Sequence, residues 1–523
     1  MDGSNILTID FGTQSVRVAI FNDKGEELSM EKTKYDPPYF SILPNYAEQD
    51  PNVYYNALCR CARALVEKNQ ELIGTVKGIC LTCFRDSAVL LDKERNVIRP
   101  MILWLDQRTA ECKKPLPWYH NILFDLVGMK NTIVFNRRRS VSNWLIENEP
   151  DNWAKVDKYV NVSTYFIYRL TGELKDSASD FGGHYPIDFK KRKWYKNPLK
   201  HYKGQIFSIE GHMLADIVPE GSIIGTITEK ANKETGLPIG LPLYACGSDK
   251  SCETLGLGVL SDRIAAISYG TASTVETTRT KYTESEPFLP GFSSCIPGYY
   301  NMDIQIYRGY WMINWFLKEF GGKHVDDIVI SDVSAEDFNR KLKDVPPGSD
   351  GLVLQPYWGP GLSRPLAKGA IIGFSDAITQ EHFYRAIIEG IAYALREGLE
   401  HFEKKVHHAI PEIRISGGGS QSDEICQITS NIMGKPVTRV QTFETSSLGA
   451  AIAGFLAIGR FANAEEAVKN MVHPSETFTP NAEIHNIYDY LYTHAYEKMY
   501  PKLKGIYKDI KDFNKREEKR RKK

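Results

Sequence analysis

The sequence has no excess of either charge: Lys and Arg total 65, Asp and Glu total 65, among 523 residues. A chain balanced in this way is not a whole-molecule trap for nucleic acid or for an anionic membrane, although a local basic pocket is compatible with it. No unbroken apolar run is long enough to span a bilayer. The opening residues, MDGSNILTIDFG, lack the basic start and long apolar stretch of a secretory leader. The nine cysteines are odd in number and scattered. Cys80 and Cys83 form a C-x-x-C, but the second pair that a zinc ribbon needs is missing. They read as reduced thiols in a buried strand over residues 78–83, and a cytoplasmic location is expected.

What is present is the composition of a globular protein, 42% hydrophobic and 25% charged. The length exceeds one ordinary core, so two domains are expected. Residues 6–10 form a short apolar strand, Gly12 and Thr13 a turn, and residues 16–21 a returning strand. Asn22-Asp23-Lys24-Gly25 turns the chain again into a third. The pattern recurs downstream: Phe11-Gly12-Thr13-Gln14-Ser15 is echoed by Tyr269-Gly270-Thr271-Ala272-Ser273, each copy after an apolar strand. Two lobes of similar plan follow from that echo. Between the copies, strands and helices alternate, which predicts an α/β architecture. Asp50-Pro51 opens a helix as cap and first residue. Residues 381–402 carry apolar positions at helical spacing, with Gly390 and Gly398 marking close backbone packing. The last residues, 515–523, are almost all charged and read as a frayed, solvated tail.

Four constellations carry candidate chemistry, each with a plain structural alternative. In Asp10-Phe11-Gly12-Thr13-Gln14-Ser15-Val16-Arg17, a hairpin turn offers N–H groups and hydroxyls to phosphate oxygens. Asp10 is placed to hold Mg²⁺, and Arg17 to counter phosphate charge; the alternative is a tight hairpin. In Gly247-Ser248-Asp249-Lys250, Asp249 stands after a strand as either a general base or a helix cap. Ser416-Gly417-Gly418-Gly419-Ser420 joins a strand to a helix and lets a ligand approach the backbone. It fits neither G-x-G-x-x-G nor G-x-x-x-x-G-K-[ST], so it carries no Rossmann or P-loop motif. Cys83-Phe84-Arg85-Asp86 and Trp104-Leu105-Asp106-Gln107-Arg108 offer hydrogen bonds to a polyol, or else form a salt-bridged loop.

In this order, the segments resemble the FGGY family of carbohydrate kinases, over about residues 5–475. Gly369 to Phe374, Arg385-Ala386, Glu389-Gly390, Leu448-Gly449-Ala450-Ala451 and Glu48-Gln49-Asp50-Pro51 extend the likeness. The resemblance implies an α/β, two-lobed actin-like ATPase (ribonuclease H-like) fold with an ATP cleft between lobes. It implies a lobe over residues 1–254, a nucleotide-binding lobe over 255–490, and a C-terminal helix and charged tail over 491–523. Asp249 is then the catalytic base and Asp10 the Mg²⁺ holder. Thr13, Gln14, Ser15, Arg17, Gly270, Thr271, Asn314, Gly417, Gly418, Gly419 and Ser420 line the ATP site. Arg85, Asp86, Asp106, Asp249 and Lys250 line the sugar site. The expected reaction is ATP-dependent phosphorylation of a sugar or polyol hydroxyl, with a ketopentose such as xylulose as acceptor. Glycerol or another polyol and the autoinducer-2 type of acceptor are the alternatives, because Arg85-Asp86 stands where pentulose kinases often carry Gln-Met-His. An actin-like ATPase without sugar kinase activity is the alternative of another class. The expected partners are the small-molecule acceptor, with neither nucleic acid nor membrane, and a homodimer is the candidate assembly.

Overall fold

Strand Asn5–Phe11 is buried along its whole length, as a strand covered on both faces must be. It pairs antiparallel with Ser15–Phe21, which pairs antiparallel with Glu27–Lys34. On its other side it runs parallel to Val76–Cys83. Pro242–Tyr244 and Ile223–Thr226 complete a six-stranded sheet. Helix Pro51–Lys68 lies on this sheet, and the Asp50 side chain accepts the Asn52 N–H as its cap. The computed structural model describes residues 3–521 except 44, 127, 287–288, 321–322, 326–327, 331–333, 359–363 and 365.

The second sheet repeats the first one's central plan. Ile264–Tyr269 pairs antiparallel with Ser273–Arg279 and parallel with Glu412–Ser416. Val437–Val440 continues it in parallel, and Pro474–Phe478 returns antiparallel at the edge. The two Gly-Thr-x-Ser segments therefore occupy equivalent hairpin turns. Helix Gln380–Val406 belongs to this part of the chain. A Cβ on Gly390 would lie 2.4 Å from the Leu354 carbonyl oxygen, and one on Gly398 would lie 2.6 Å from Val275 Cγ1. That packing is why glycine interrupts an otherwise apolar helical stripe.

The chain forms two compact units, but not as consecutive halves. The first is Met1–Leu260 with Thr278–Met302 and Glu444–His473; the second is Ser261–Thr277 with Asp303–Phe443 and Pro474–Lys523. Helix Thr445–Ala457 is the reason the late segment belongs to the first unit: Gly454 lies against Ile6 and Cys80, and Gly449 against Cys252 and Gly256. Residues 491 onward belong to the second unit rather than standing apart. The charged end is not frayed where it is described: helix Glu497–Arg521 runs through it, since Lys, Arg and Glu are good helix formers. Lys522 and Lys523 lie outside the described residues. Among the described residues no helix is long and apolar enough to cross a membrane. Cys80 and Cys83 are buried free thiols.

Candidate active site

Asp249 opens helix Asp249–Gly256, and the cap of that helix is Ser248, whose side chain accepts the Ser251 N–H. Asp249 is thus the first helical residue, and its carboxylate is not used as the cap. The strand-to-helix turn before it is tightly built. A Cβ on Gly247 would lie 2.7 Å from both Cys295 Cβ and Ser179 Oγ. The hydroxyls of Ser177 and Ser179 reach the Cys246 carbonyl at 2.7 and 2.6 Å, and the Ser248 N–H donates to the Ser179 carbonyl at 3.1 Å. Burial raises the Asp249 pKa and Glu253 adds to this, against the opposing pull of Lys250 and Arg85. Lys250 itself is tied to Glu253 at 2.6 Å.

Asp10 is the last residue but one of the first strand and is also buried. Its pKa is pushed up to about 7, chiefly by burial, with Glu444, Asp249 and Glu253 contributing and Arg17 opposing. Arg17 lies 3.8 Å from Asp10 and 2.7 Å from Glu444. In the hairpin turn, the Gly12 N–H donates to the Ser15 carbonyl at 3.0 Å. Thr13 Oγ1 accepts from Trp104 Nε1 at 3.2 Å, and Gln14 is exposed. Among the described residues no group of three or more His, Cys, Asp or Glu is placed to hold a metal ion.

Arg85 and Asp86 follow strand Val76–Cys83, with Asp86 in the left-handed backbone region at φ 59°. The Arg85 guanidinium lies 4.6 Å from the centre of the Phe292 ring. Asp86 accepts the His184 N–H at 3.3 Å and lies 3.4 Å from His184 Nδ1. Burial would raise the Asp86 pKa, but His184 and Arg85 outweigh it and hold the carboxyl below its usual range. Asp106 does not fit the expected role of a direct substrate ligand. It accepts the Ala47 N–H at 2.7 Å, the Arg108 N–H at 2.8 Å, and two bonds from the Arg108 guanidinium. A carboxylate saturated this way shapes the turn that carries Trp104 and Arg108.

In the second unit, Gly270 and Thr271 form the hairpin turn after Tyr269, and the Thr271 carbonyl accepts the Trp311 N–H at 3.3 Å. Asn314 is exposed on helix Trp311–Phe320. Gly417 has φ 80°, and its missing Cβ leaves room for the Tyr269 backbone at 2.7 Å. Gly419 packs on the rings of Tyr269 and Tyr310. The Gly-Thr turn, the Asn314 helix and the segment 417–420 therefore converge around Tyr269 and Tyr310. Ser420 is turned inward, its hydroxyl donating to the Gly417 carbonyl at 2.7 Å.

Glu444, His184 and the Ser177–Ser179 pair were not legible as site residues, because each reaches its partner across a long stretch of sequence. Glu253 was within reach, since it stands three residues from Lys250 on one helix face.

The family model for the FGGY family of carbohydrate kinases, N-terminal domain, matches residues 5–256, and that for the C-terminal domain matches residues 265–458. The chain is 28% identical to the uncharacterized sugar kinase YgcE of Escherichia coli (strain K12), covering 98% of this chain and 94% of the relative. It is 27% identical to a xylulose kinase of Staphylococcus epidermidis, covering 97% and 98%. Its fold is that of a ligand-bound xylulose kinase from Lactobacillus acidophilus, with a TM-score of 0.78 at 19% identity, covering 97% of this chain and 100% of that one. With both halves matched in order by its two domain models, the chain belongs to the FGGY family of carbohydrate kinases.

Proposed function

We propose that this kinase transfers the γ-phosphoryl group of ATP to a hydroxyl of a ketopentose such as xylulose, with Asp249 as the base. The observation that carries this is a buried carboxylate of raised pKa, not spent on capping, in the field of Arg85 and Lys250. Arg85 and Asp86 orient the acceptor by charge-assisted hydrogen bonds. Asp249 takes the acceptor hydroxyl proton as that oxygen bonds to the γ-phosphorus and the bond to the ADP oxygen breaks. The products are a sugar phosphate, ADP and one proton. Catalysis of this kind is mostly positioning and electrostatics. Thr13, Gln14, Ser15 and Arg17, with Gly270, Thr271, Asn314 and residues 417–420, are the nucleotide contacts.

The residues fit a divalent cation. Asp10 is a buried carboxylate whose nearest cation, Arg17, is 3.8 Å away and shared with Glu444. Three further acids, Asp249, Glu253 and Glu444, act on Asp10 there, and that excess favours added positive charge. Bound Mg²⁺ would neutralise phosphate charge; Asp10 would hold it directly or through water. A cytoplasmic enzyme, where ATP is available, is the setting this reading requires.

The xylulose kinase relatives support a ketopentose, while Arg85-Asp86 keeps glycerol and the autoinducer-2 precursor as alternatives. A coupled ADP-release screen with Mg–ATP over pentuloses, hexuloses, tetritols, glycerol and the furanone precursor tests the reading. Sugar-dependent ADP release is expected. ATP hydrolysis indifferent to every acceptor, but stimulated by unfolded peptide, would replace the kinase by an actin-like ATPase.

A further inference from the structure

Helix Glu497–Arg521 changes character along its length. Met499 and Tyr507 are buried and anchor its first turns. From Lys508 onward every side chain that the structure describes is exposed, except the half-buried Glu517. Helices draw most of their stability from covering an amphipathic face. This one ends in about four turns whose face is uncovered.

The uncovered part is sorted by helical position. Ile506, Ile510 and Phe513 are 54%, 39% and 61% exposed. Their spacing, four residues and then three, sets them in one row along the axis. Lys504, Lys508 and Lys511 repeat that spacing on the opposite side and are exposed. Lys502 and Arg516 border the apolar row and are exposed as well. An apolar row with cations beside it and behind it is the pattern of a helix that lies in a lipid interface.

Charge chooses among the occupants. Residues 502–521 hold nine Lys or Arg against four Asp or Glu, in a chain whose total is balanced. The rest of the molecule is therefore net acidic, and attraction to an anionic surface is confined to this helix. A second copy of the helix would set the same positive excess against itself, which Coulomb repulsion opposes. Among the described residues no helix is long and apolar enough to cross a membrane, so the contact is peripheral. We infer that residues 502–521 form a docking surface for an anionic lipid bilayer. Ile506, Ile510 and Phe513 enter the headgroup boundary, and the cations beside them meet the lipid phosphates. The expectation of no membrane partner came from the whole-chain charge balance, and it does not hold at this helix. None of the residues assigned to the acceptor or the nucleotide takes part, so the docking is independent of which sugar is phosphorylated.

The test is flotation of the full chain with vesicles of phosphatidylcholine alone and of phosphatidylcholine mixed with phosphatidylglycerol. At low salt, partition should be about tenfold or more stronger with phosphatidylglycerol, the scale that several cations near a charged surface give. It should fall steeply as salt is raised. The triple variant Ile506→Ser, Ile510→Ser, Phe513→Ser should abolish it. The double variant Lys508→Glu, Arg516→Glu should weaken it about tenfold or more. Both variants should keep the wild-type Tm and turnover, because every altered side chain is exposed. Equal partition into the two kinds of vesicle, partition into neither, or binding untouched by the triple substitution overturns the inference. A dimer in size exclusion that the triple substitution breaks, without vesicle binding, assigns the row to a second copy instead.

Discussion

Asp249 and Arg85 are single side chains with separable tasks. Because Ser248 caps the helix, Asp249→Asn removes the proposed base without removing a cap. The variant should melt with the wild type, bind Mg–ATP and sugar, and lose about 10²–10⁴-fold in kcat, the worth of a positioned acid–base group. Near wild-type turnover in a normally folded variant would take Asp249 out of the mechanism. The raised pKa of Asp249 adds a pH signature. A base must be ionised, so kcat/KM should fall as pH drops through a value above the ordinary carboxylate range. That limb belongs to Asp249 only if it is missing from the residual activity of the Asn variant. Arg85 is a different case, since it stands beside Phe292 and Asp86 rather than by the hairpin turn. Arg85→Ala should raise the sugar KM about tenfold or more, the cost of losing a charge-assisted bond, with the KM for ATP nearly unchanged. A loss confined to ATP would assign the residue to the nucleotide.

At the scale of elements, the turn that presents Asp249 is held from below by a buried acid pair. Asp176 accepts the Ser163 and Thr164 hydroxyls at 2.7 and 2.6 Å, and Asp180 lies 3.0 Å from the Ser177 hydroxyl. Ser177 and Ser179 in turn hold the Cys246 carbonyl, three residues before Asp249. Asp180 Oδ1 has no donor among the described residues, and this carboxyl meets that of Asp176. Two adjacent buried carboxyls favour sharing a proton, and burial with Asp176 raises the Asp180 pKa well above its ordinary value. A folded-state pKa above the unfolded one gives stability that is complete in acid and is lost as pH rises through the folded value. Asp180→Asn, which supplies a donor at every pH, should therefore flatten the decline of Tm on the alkaline side. Wild type and variant declining in parallel as pH rises above the ordinary carboxylate range would show that no shared proton stabilises the turn. The hairpin below Asp10 was readable because Gly-Thr-x-Ser is a local pattern. This network was not, because Asp176 and Cys246 are far apart in sequence and only the fold joins them.

The whole molecule shows the same limit of sequence reading. The repeated hairpins announced two units of one plan, since each turn needs its own glycine and hydroxyls within five residues. The boundaries were not announced. Helix Thr445–Ala457 is apolar nearly all round, with Leu448, Ala450, Ala451, Ile452 and Phe455 buried, and such a pattern says that a helix is covered without saying by what. What covers it is the first unit. A Cβ on Gly449 would fall 1.8 Å from the Cys252 carbonyl, and one on Gly454 would fall 2.7 Å from Ile6. The first unit is therefore incomplete at residue 260. A chain ending there leaves bare the faces of strands Asn5–Phe11 and Val76–Cys83 and of the helix that begins with Asp249. Each large apolar side chain exposed in this way costs about 1.5–3 kcal/mol, and several such losses exceed the 5–15 kcal/mol by which a domain is ordinarily stable. The fragment 1–260 should then fail to melt cooperatively and should aggregate. Residues 1–302 joined by a flexible linker to 444–473 should regain a cooperative transition, because the missing helix is returned to its place. Circular dichroism melts and size-exclusion profiles of the two polypeptides decide the matter: a sharp melt of a monodisperse 1–260 fragment would mean that the late helix is an ornament on a unit already complete without it.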